Sequence, residues 1–323
     1  MTNHPSLGFR VGGSAYNDRK LIDWLAAFTA YSQCDELAKV HQQAYLSAFQ
    51  FPEEFGVYLK TTGSTKGYTG SCWSRWLWLD IDNKNDPDAA LCDTRRLVQL
   101  LQGRYSIANE LLVWFSGGKG YHVGLPTSLW KPEASPLFGK FCRTLAETLA
   151  GQCAVVIDSS IYDAVRLFRA PNSRHSKTGL HKRLLSIDEL FALDVPGIRS
   201  LAAKPMPFVI PDDPQIHEQA VADWRAASEA ATAIATAVVH PVGATPDRLN
   251  RATRDFLQRG ADVGERQRLL YSAARNLGEY GCSLELALAL LEPAARESGL
   301  PPSKIRRQIE CGIADQAQKG NAP

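Results

Sequence analysis

Long apolar runs are missing from this 323-residue chain: none approaches the ~20 residues that a membrane-spanning helix needs. The opening MTNHPSLGFR also lacks the apolar centre of a signal peptide. A soluble, cytoplasmic chain with no membrane partner is therefore expected. The seven cysteines, at 34, 72, 92, 142, 153, 282 and 311, include no CxxC or CxxH pair. Neither a zinc knuckle nor a disulfide framework can be read from such spacing, and no zinc is expected. Charge of one sign is missing too: 36 Lys and Arg stand against 34 Asp and Glu, a formal +2. Any nucleic-acid surface must then be a local patch. The phosphate-loop pattern G-x-x-x-x-G-K-[ST] is absent, which excludes an ordinary P-loop ATPase.

What is present is enough apolar residue, 45%, to bury a full core, at a length that suggests about two domains. Up to about residue 195, helical periodicity in RKLIDWLAAFTAYSQ and SPLFGKFCRTLAETLAGQ alternates with short apolar runs such as RWLWLDI, ELLVWFS, YHVGLP and AVVID. This reads as an α/β or α+β catalytic domain over 1–195. The proline-rich PMPFVIPDD and the alanine-rich stretch after it predict a helical linker over 196–245. Residues 246–318 carry helical apolar spacing, with Gly260, Gly281 and Gly299 where helices could end, and predict a small all-α domain.

Three segments of the first domain carry chemistry. In WLWLDIDNKND, residues 76–86, the two-residue strand period points Asp80 and Asp82 to one side, where two like charges call for a cation such as Mg²⁺. A strand ending in a polar turn has the same appearance. In LLVWFSGGKGYHVGLP, residues 111–126, three glycines expose backbone N–H groups to an anion, and Ser116, Lys119 and His122 add donors; a plain glycine-rich hairpin is the competing reading. In AVVIDSSIYDAVRLFRAPNSRHSKTGLHKR, residues 154–183, an apolar run ends at Asp158. The series Arg166, Arg169, Arg174, His175, Lys177, Lys182 and Arg183 follows it, an electrostatic footprint for phosphates or a solvated basic face.

Taken together, LDID, SGGKGYH, VID and RLFRAPNSRHSKTGL resemble, in that order, the motifs of the archaeo-eukaryotic primase superfamily: Asp-x-Asp, Ser-Gly-x-x-Gly-x-His, a later strand aspartate and RLIR-x-P-x-S-x-H-x-K-[TS]-G-L. The resemblance covers about residues 70–185. It implies an α+β core with an RRM-like mixed sheet flanked by helices. It also implies two Mg²⁺ or Mn²⁺ ions on the catalytic Asp80, Asp82 and Asp158, and nucleotide contacts from Ser116, Lys119, His122, Arg166, Arg169, His175 and Lys177. Two departures stand out. Asp158 follows His122 by only 36 positions, leaving no room for the archaeal zinc-knuckle insertion, and Gly118 stands where those enzymes often have arginine. Both suit a compact plasmid- or phage-type primase or primase-polymerase.

The activity implied is synthesis of short RNA or DNA primers on single-stranded DNA from NTPs or dNTPs, in plasmid or phage replication. The alternative is a catalytically weak replication initiator that acts by binding single-stranded DNA. A nuclease or an Asp-x-Asp glycosyltransferase fits the basic third segment poorly. Lys60, Lys66 and Tyr68, in the polar stretch KTTGSTKGYTGS, are candidate template contacts, with an ordinary surface loop as the other reading. Trp73, Trp76 and Trp78 are expected in the core. The C-terminal helices are expected to grip template or initiating nucleotide, or to dock a replicative helicase.

Overall fold

Asp23, Asp86, Ser186 and Asp194 each place a side-chain oxygen on a backbone N–H of the turn that follows, and each opens a helix. The computed structural model describes residues 4–15, 17–65, 67–83, 86–107, 109–237 and 249–319. Among these the chain forms, in order, β1 (Leu7–Gly12), β2 (Lys20–Asp23), α1 (Trp24–Ser32), β3 (Ala44–Ser47), α2 (Glu53–Thr62), β4 (Trp76–Ile81), α3 (Pro87–Tyr105), β5 (Leu112–Phe115) and β6 (Tyr121–Pro126). There follow α4 (Phe138–Gln152), β7 (Leu167–Arg169), β8 (Arg183–Leu185), α5 (Ile187–Ala192), α6 (Val195–Leu201), α7 (Glu218–Ala237), α8 (Arg251–Arg259), α9 (Arg266–Glu279), α10 (Leu284–Glu297) and α11 (Pro302–Lys319). The fold is α+β and divides into two units, residues 1–232 and 233–323.

The first unit holds two four-stranded sheets, ordered β2-β1-β3-β7 and β4-β6-β5-β8. Every recorded pairing is antiparallel, where a single mixed sheet was expected. The reason lies in the second sheet. There β4 and β5 run the same way across the α3 crossover, but the β5–β6 hairpin folds β6 back between them, so no parallel strands become neighbours. Helix α3 buries Leu91, Thr94, Leu97, Val98, Leu101 and Tyr105, a stripe at helical spacing, and α4 does the same with Phe138, Cys142, Leu145 and Leu149. Trp76, Trp78 and Trp114 are buried with them.

Two expected elements differ. Residues 154–158 form no strand: Ala154 turns left-handed at φ 52°, Val156 is exposed, and the segment runs into a 3-10 turn, Ser159–Tyr162, capped by Asp158. The stretch 196–245 was expected as a linker, yet residues 196–232 belong to the first unit and pack into it. Ile198, Ala202, Ala220 and Ala227 are buried, and Trp224 stacks on Trp130 at 5.4 Å. Asp223 accepts from Arg104 Nε at 2.6 Å and from the Tyr105 hydroxyl at 2.7 Å. Residues 238–248 lie outside the described residues.

The second unit packs α8–α11 around Phe256, Leu270, Leu277, Leu291, Ile305 and Ile309. Gly260, Gly281 and Gly299 follow α8, α9 and α10 at positive φ, which is why glycine stops each helix there. No helix of the described residues is long and apolar enough to cross a membrane.

Asp223 makes a local prediction. Burial raises its pKa, but hydrogen bonds from Arg104, Tyr105 and Gln219 outweigh burial and hold it below the ordinary carboxylate value. A folded pKa below the unfolded one stabilises the fold above about pH 4, and that contribution is lost as pH falls through the folded value. Asp223→Ala is expected to cost the first unit about 2–3 kcal/mol at pH 7, because it strands the Arg104 guanidinium. Glu310→Ala, at an exposed helix-surface pair with Arg306, should cost under about 0.5 kcal/mol. Urea unfolding followed by tryptophan fluorescence checks the first, since all seven tryptophans precede residue 233. Circular dichroism checks the second.

Candidate active site

The register of β4 on β6 sets the site. Asp80 lies opposite His122, and Trp78 opposite Gly124, so Trp78, Asp80 and His122 share one face of the sheet. Strand β5 adds Trp114 to that face, again opposite His122. His122 Nε2 lies 3.6 Å from Asp80 Oδ1. Because β5 runs parallel to β4, its hairpin loop to β6, residues 116–120, emerges at the end of β4 that carries the aspartates.

That loop needs its glycines. Ser116 N–H donates to the Gly120 carbonyl at 3.0 Å and closes the turn, while Gly117 sits at φ 80°. A Cβ on Gly120 would lie 2.3 Å from the Ile81 carbonyl oxygen and 3.0 Å from Asp82 Cα. The loop backbone therefore lies directly against the end of β4.

The third segment arrives on the open edge of β4. Asp158 N–H donates to the Asp80 carbonyl at 2.8 Å, and the Tyr162 hydroxyl donates to the Trp78 carbonyl at 2.6 Å. Both bonds satisfy edge-strand carbonyls and draw Asp158 alongside Asp80. Asp158 itself is exposed, and its Oδ1 accepts the Ser160 N–H at 2.9 Å. Farther on, Thr178 Oγ1 donates to the Gly117 carbonyl at 2.5 Å and pins the basic segment to the glycine loop. His175 Nδ1 accepts backbone N–H groups of Lys177 and Thr178, at 3.2 and 3.3 Å. A neutral ring bonded in this way carries its proton on Nε2. That nitrogen faces the loop, 3.2 Å from where a Gly118 Cβ would be. The ring of His175 thus lies against Gly118, where the resembled enzymes often have arginine.

These elements enclose a cavity of about 460 Å³ lined by Asp80, Asp82, Ser116, Lys119, His122, Arg166, Arg169, His175 and Lys177, with Ile161, Phe168 and Thr178 among its other walls. All the expected catalytic and nucleotide-contacting residues except Asp158 thus line one space. The expected template contacts do not join them. Lys60 is exposed in the last turn of α2, and Lys66 lies outside the described residues. Tyr68 is half-buried and packs at near right angles to Phe51 and Phe55, at 5.9 and 4.9 Å, away from the residues that line this cavity. Sequence reading left Lys182 without a role, although the buried-strand alternation of LHKRLL places it on the same side as Leu184. A larger cavity, about 960 Å³, lies beyond the other end of β4. Its carboxylates are already engaged: Asp23 and Asp35 cap helical turns, and Asp213 pairs with Arg75.

The charges explain what the smaller cavity wants. Burial, then Asp158 and Asp82, push Asp80 up to about 7, against the pull of Lys182 and Arg166. His122 is held well below the ordinary imidazole value by burial, Lys182 and Arg169, and His175 is lowered by burial, Arg169 and Lys177. Both rings are therefore neutral donors. Among the described residues no three His, Cys, Asp or Glu side chains converge tightly enough to hold a metal ion alone. Carboxylates whose mutual repulsion outlasts the nearby cations nonetheless suit a hard divalent ion that takes its remaining ligands from phosphate and water.

No family model matches the chain, and no curated protein matches it. A crystal structure of primase RepB′ is similar at a TM-score of 0.33 and 14% identity, covering 98% of this chain and 94% of that one. A likeness of that size carries no argument about function.

The approach of Gly120 to β4 yields a test. Gly120→Ala is expected to push the loop off Ile81 and Asp82 and to cost about 1–3 kcal/mol. Gly118→Ala, with only the His175 ring edge in the way, should cost under about 1 kcal/mol while weakening phosphate binding. Denaturation midpoints and phosphate titrations of the two variants separate fold from site.

Proposed function

We propose that the chain is a template-directed nucleotidyltransferase of primase type, making short RNA or DNA primers on single-stranded DNA. The observation that carries the reading is the convergence, in one cavity, of the Asp80–Asp82 strand end with a cationic wall of Lys119, Arg166, Arg169 and Lys177. A carboxylate pair beside dense positive charge suits a nucleoside triphosphate with its metals better than it suits a neutral sugar donor.

Asp80, Asp82 and Asp158 would hold Mg²⁺ or Mn²⁺, which when bound supply activation of the attacking hydroxyl and relief of charge on the departing pyrophosphate. The protein's own work is positional. Arg166, Arg169 and Lys177 draw the phosphates against the glycine loop. His175, with Nε2–H turned to the loop, donates to a phosphate oxygen. His122, neutral and buried, orients against Asp80 rather than carrying protons. The C-terminal helices are assigned template or initiating-nucleotide contact, with helicase docking the other use.

Purified protein given unprimed single-stranded DNA, Mg²⁺ or Mn²⁺ and labelled nucleotides should make template-dependent product. The double variant Asp80→Ala, Asp82→Ala should lower it at least about 100-fold with DNA binding retained. His175→Ala should raise the KM for nucleotide about 10-fold, the loss of one charge-assisted donor. Bound DNA with no product under any condition would replace this reading with the binding-only initiator.

A further inference from the structure

Lys182 is among the most deeply buried side chains of the first unit, 1% exposed, yet it carries an amine. The chain brings it inward through a short ladder: Lys182 N–H donates to the Ser173 carbonyl, and Asn172 N–H to the Lys182 carbonyl, both at 3.0 Å. Two residues on, Leu184 pairs with Trp114, so Lys182 lies on the sheet face that holds Trp114, His122, Trp78 and Asp80. Its Nζ sits over three ring faces: Phe168 at 4.4 Å, Trp114 at 5.0 Å and Trp78 at 5.4 Å from their centroids. It donates to the Arg169 carbonyl at 2.9 Å.

Three ring faces and a carbonyl oxygen are what an ammonium ion recruits, since the negative face of each ring attracts a cation. Two of the rings, Trp78 and Trp114, belong to the sheet bearing Asp80. The third, Phe168, and the Arg169 carbonyl belong to β7 of the other sheet. Phe168 also packs on His122, 4.1 Å between ring centroids, and lines the cavity beside Arg169. Lys182 therefore joins the two sheets directly behind the cavity wall. Burial and Arg169 press its pKa well below the ordinary lysine value while Asp80 opposes them. The three ring faces and the Arg169 carbonyl also favour the charged amine.

We infer that Lys182 is a positioning residue: a caged internal cation that holds the Phe168–Arg169 wall against the Asp80–His122 face and attracts the phosphates of a bound nucleotide through that wall. This rests on the reading of the cavity as a nucleotide site. The side chain touches no substrate. Its attraction acts through apolar rings, so it is screened by salt less than that of the exposed Lys119 or Lys177.

Lys182→Met keeps length and bulk and removes the charge. Calorimetric titration would compare a nucleoside with its mono-, di- and triphosphate, in EDTA, or in Mg²⁺ if the unaltered chain requires it. The expected loss of affinity grows with ligand charge, from none for the nucleoside to about 10-fold for the triphosphate. A merely structural role would weaken all four alike. That result, or no loss for any, overturns the attraction of Lys182 for the phosphates, and with it the inference, while leaving the nucleotide site standing. Absence of triphosphate binding by the unaltered chain in both buffers overturns the nucleotide reading and this inference together. If Lys182→Met does not fold, ¹⁵N-lysine spectra of the unaltered chain decide. An ammonium signal at pH 7 that shifts on adding triphosphate supports the inference, and a neutral amine, or an ammonium that does not shift, overturns it.

Discussion

The site depends on one backbone pairing, that of Asp80 with His122 across β4 and β6. A slip of one residue would turn Asp80 to the opposite face, among the side chains that pack beside Leu79 and Ile81, and would carry His122 away from it. What prevents the slip is the hairpin that precedes β6. The Ser116–Gly120 bond closes the loop at a fixed length, and Gly120 lies so near Ile81 that only a residue without a Cβ fits. Loop, register and carboxylate position are one constraint seen at three places.

Charge is arranged around that constraint in two layers. The outer layer meets solvent: Lys119 and Lys177 are exposed, and Arg166 and Arg169 are half-buried, and all four line the cavity. The inner layer is the caged Lys182, whose attraction for Asp80 falls short of what burial and the neighbouring aspartates impose. The residual imbalance, a carboxylate raised to about 7 beside two others, is the electrostatic demand that a divalent ion with its phosphate ligands would meet.

Compactness is gained by using edges. The short span between His122 and Asp158 holds β6 and α4 and then returns to the free edge of β4, where Asp158 and Tyr162 cap carbonyls that a further strand would otherwise take. Likewise the segment after α6 turns back to seat Trp224 and Asp223 on α4, Trp130 and the end of α3, which enlarges the first unit.

Periodicity and turn chemistry were enough to read β4, β5, β6, α4 and the helix-ending glycines of the second unit, because those signals are local: alternation, capping and positive φ act within a few residues. The Asp-x-Asp pair, the glycine loop and the basic run were legible for the same reason. Other features were not. Residues 154–158 look like a strand, but strand formation needs a partner, and only one ladder bond to β4 is available. Tyr68 reads as an exposed aromatic until Phe51 and Phe55 are brought beside it. Lys182 reads as one more surface cation in a basic run. Its burial is decided by Phe168 and Trp114, which approach from different sheets, and no local pattern records an approach across the core.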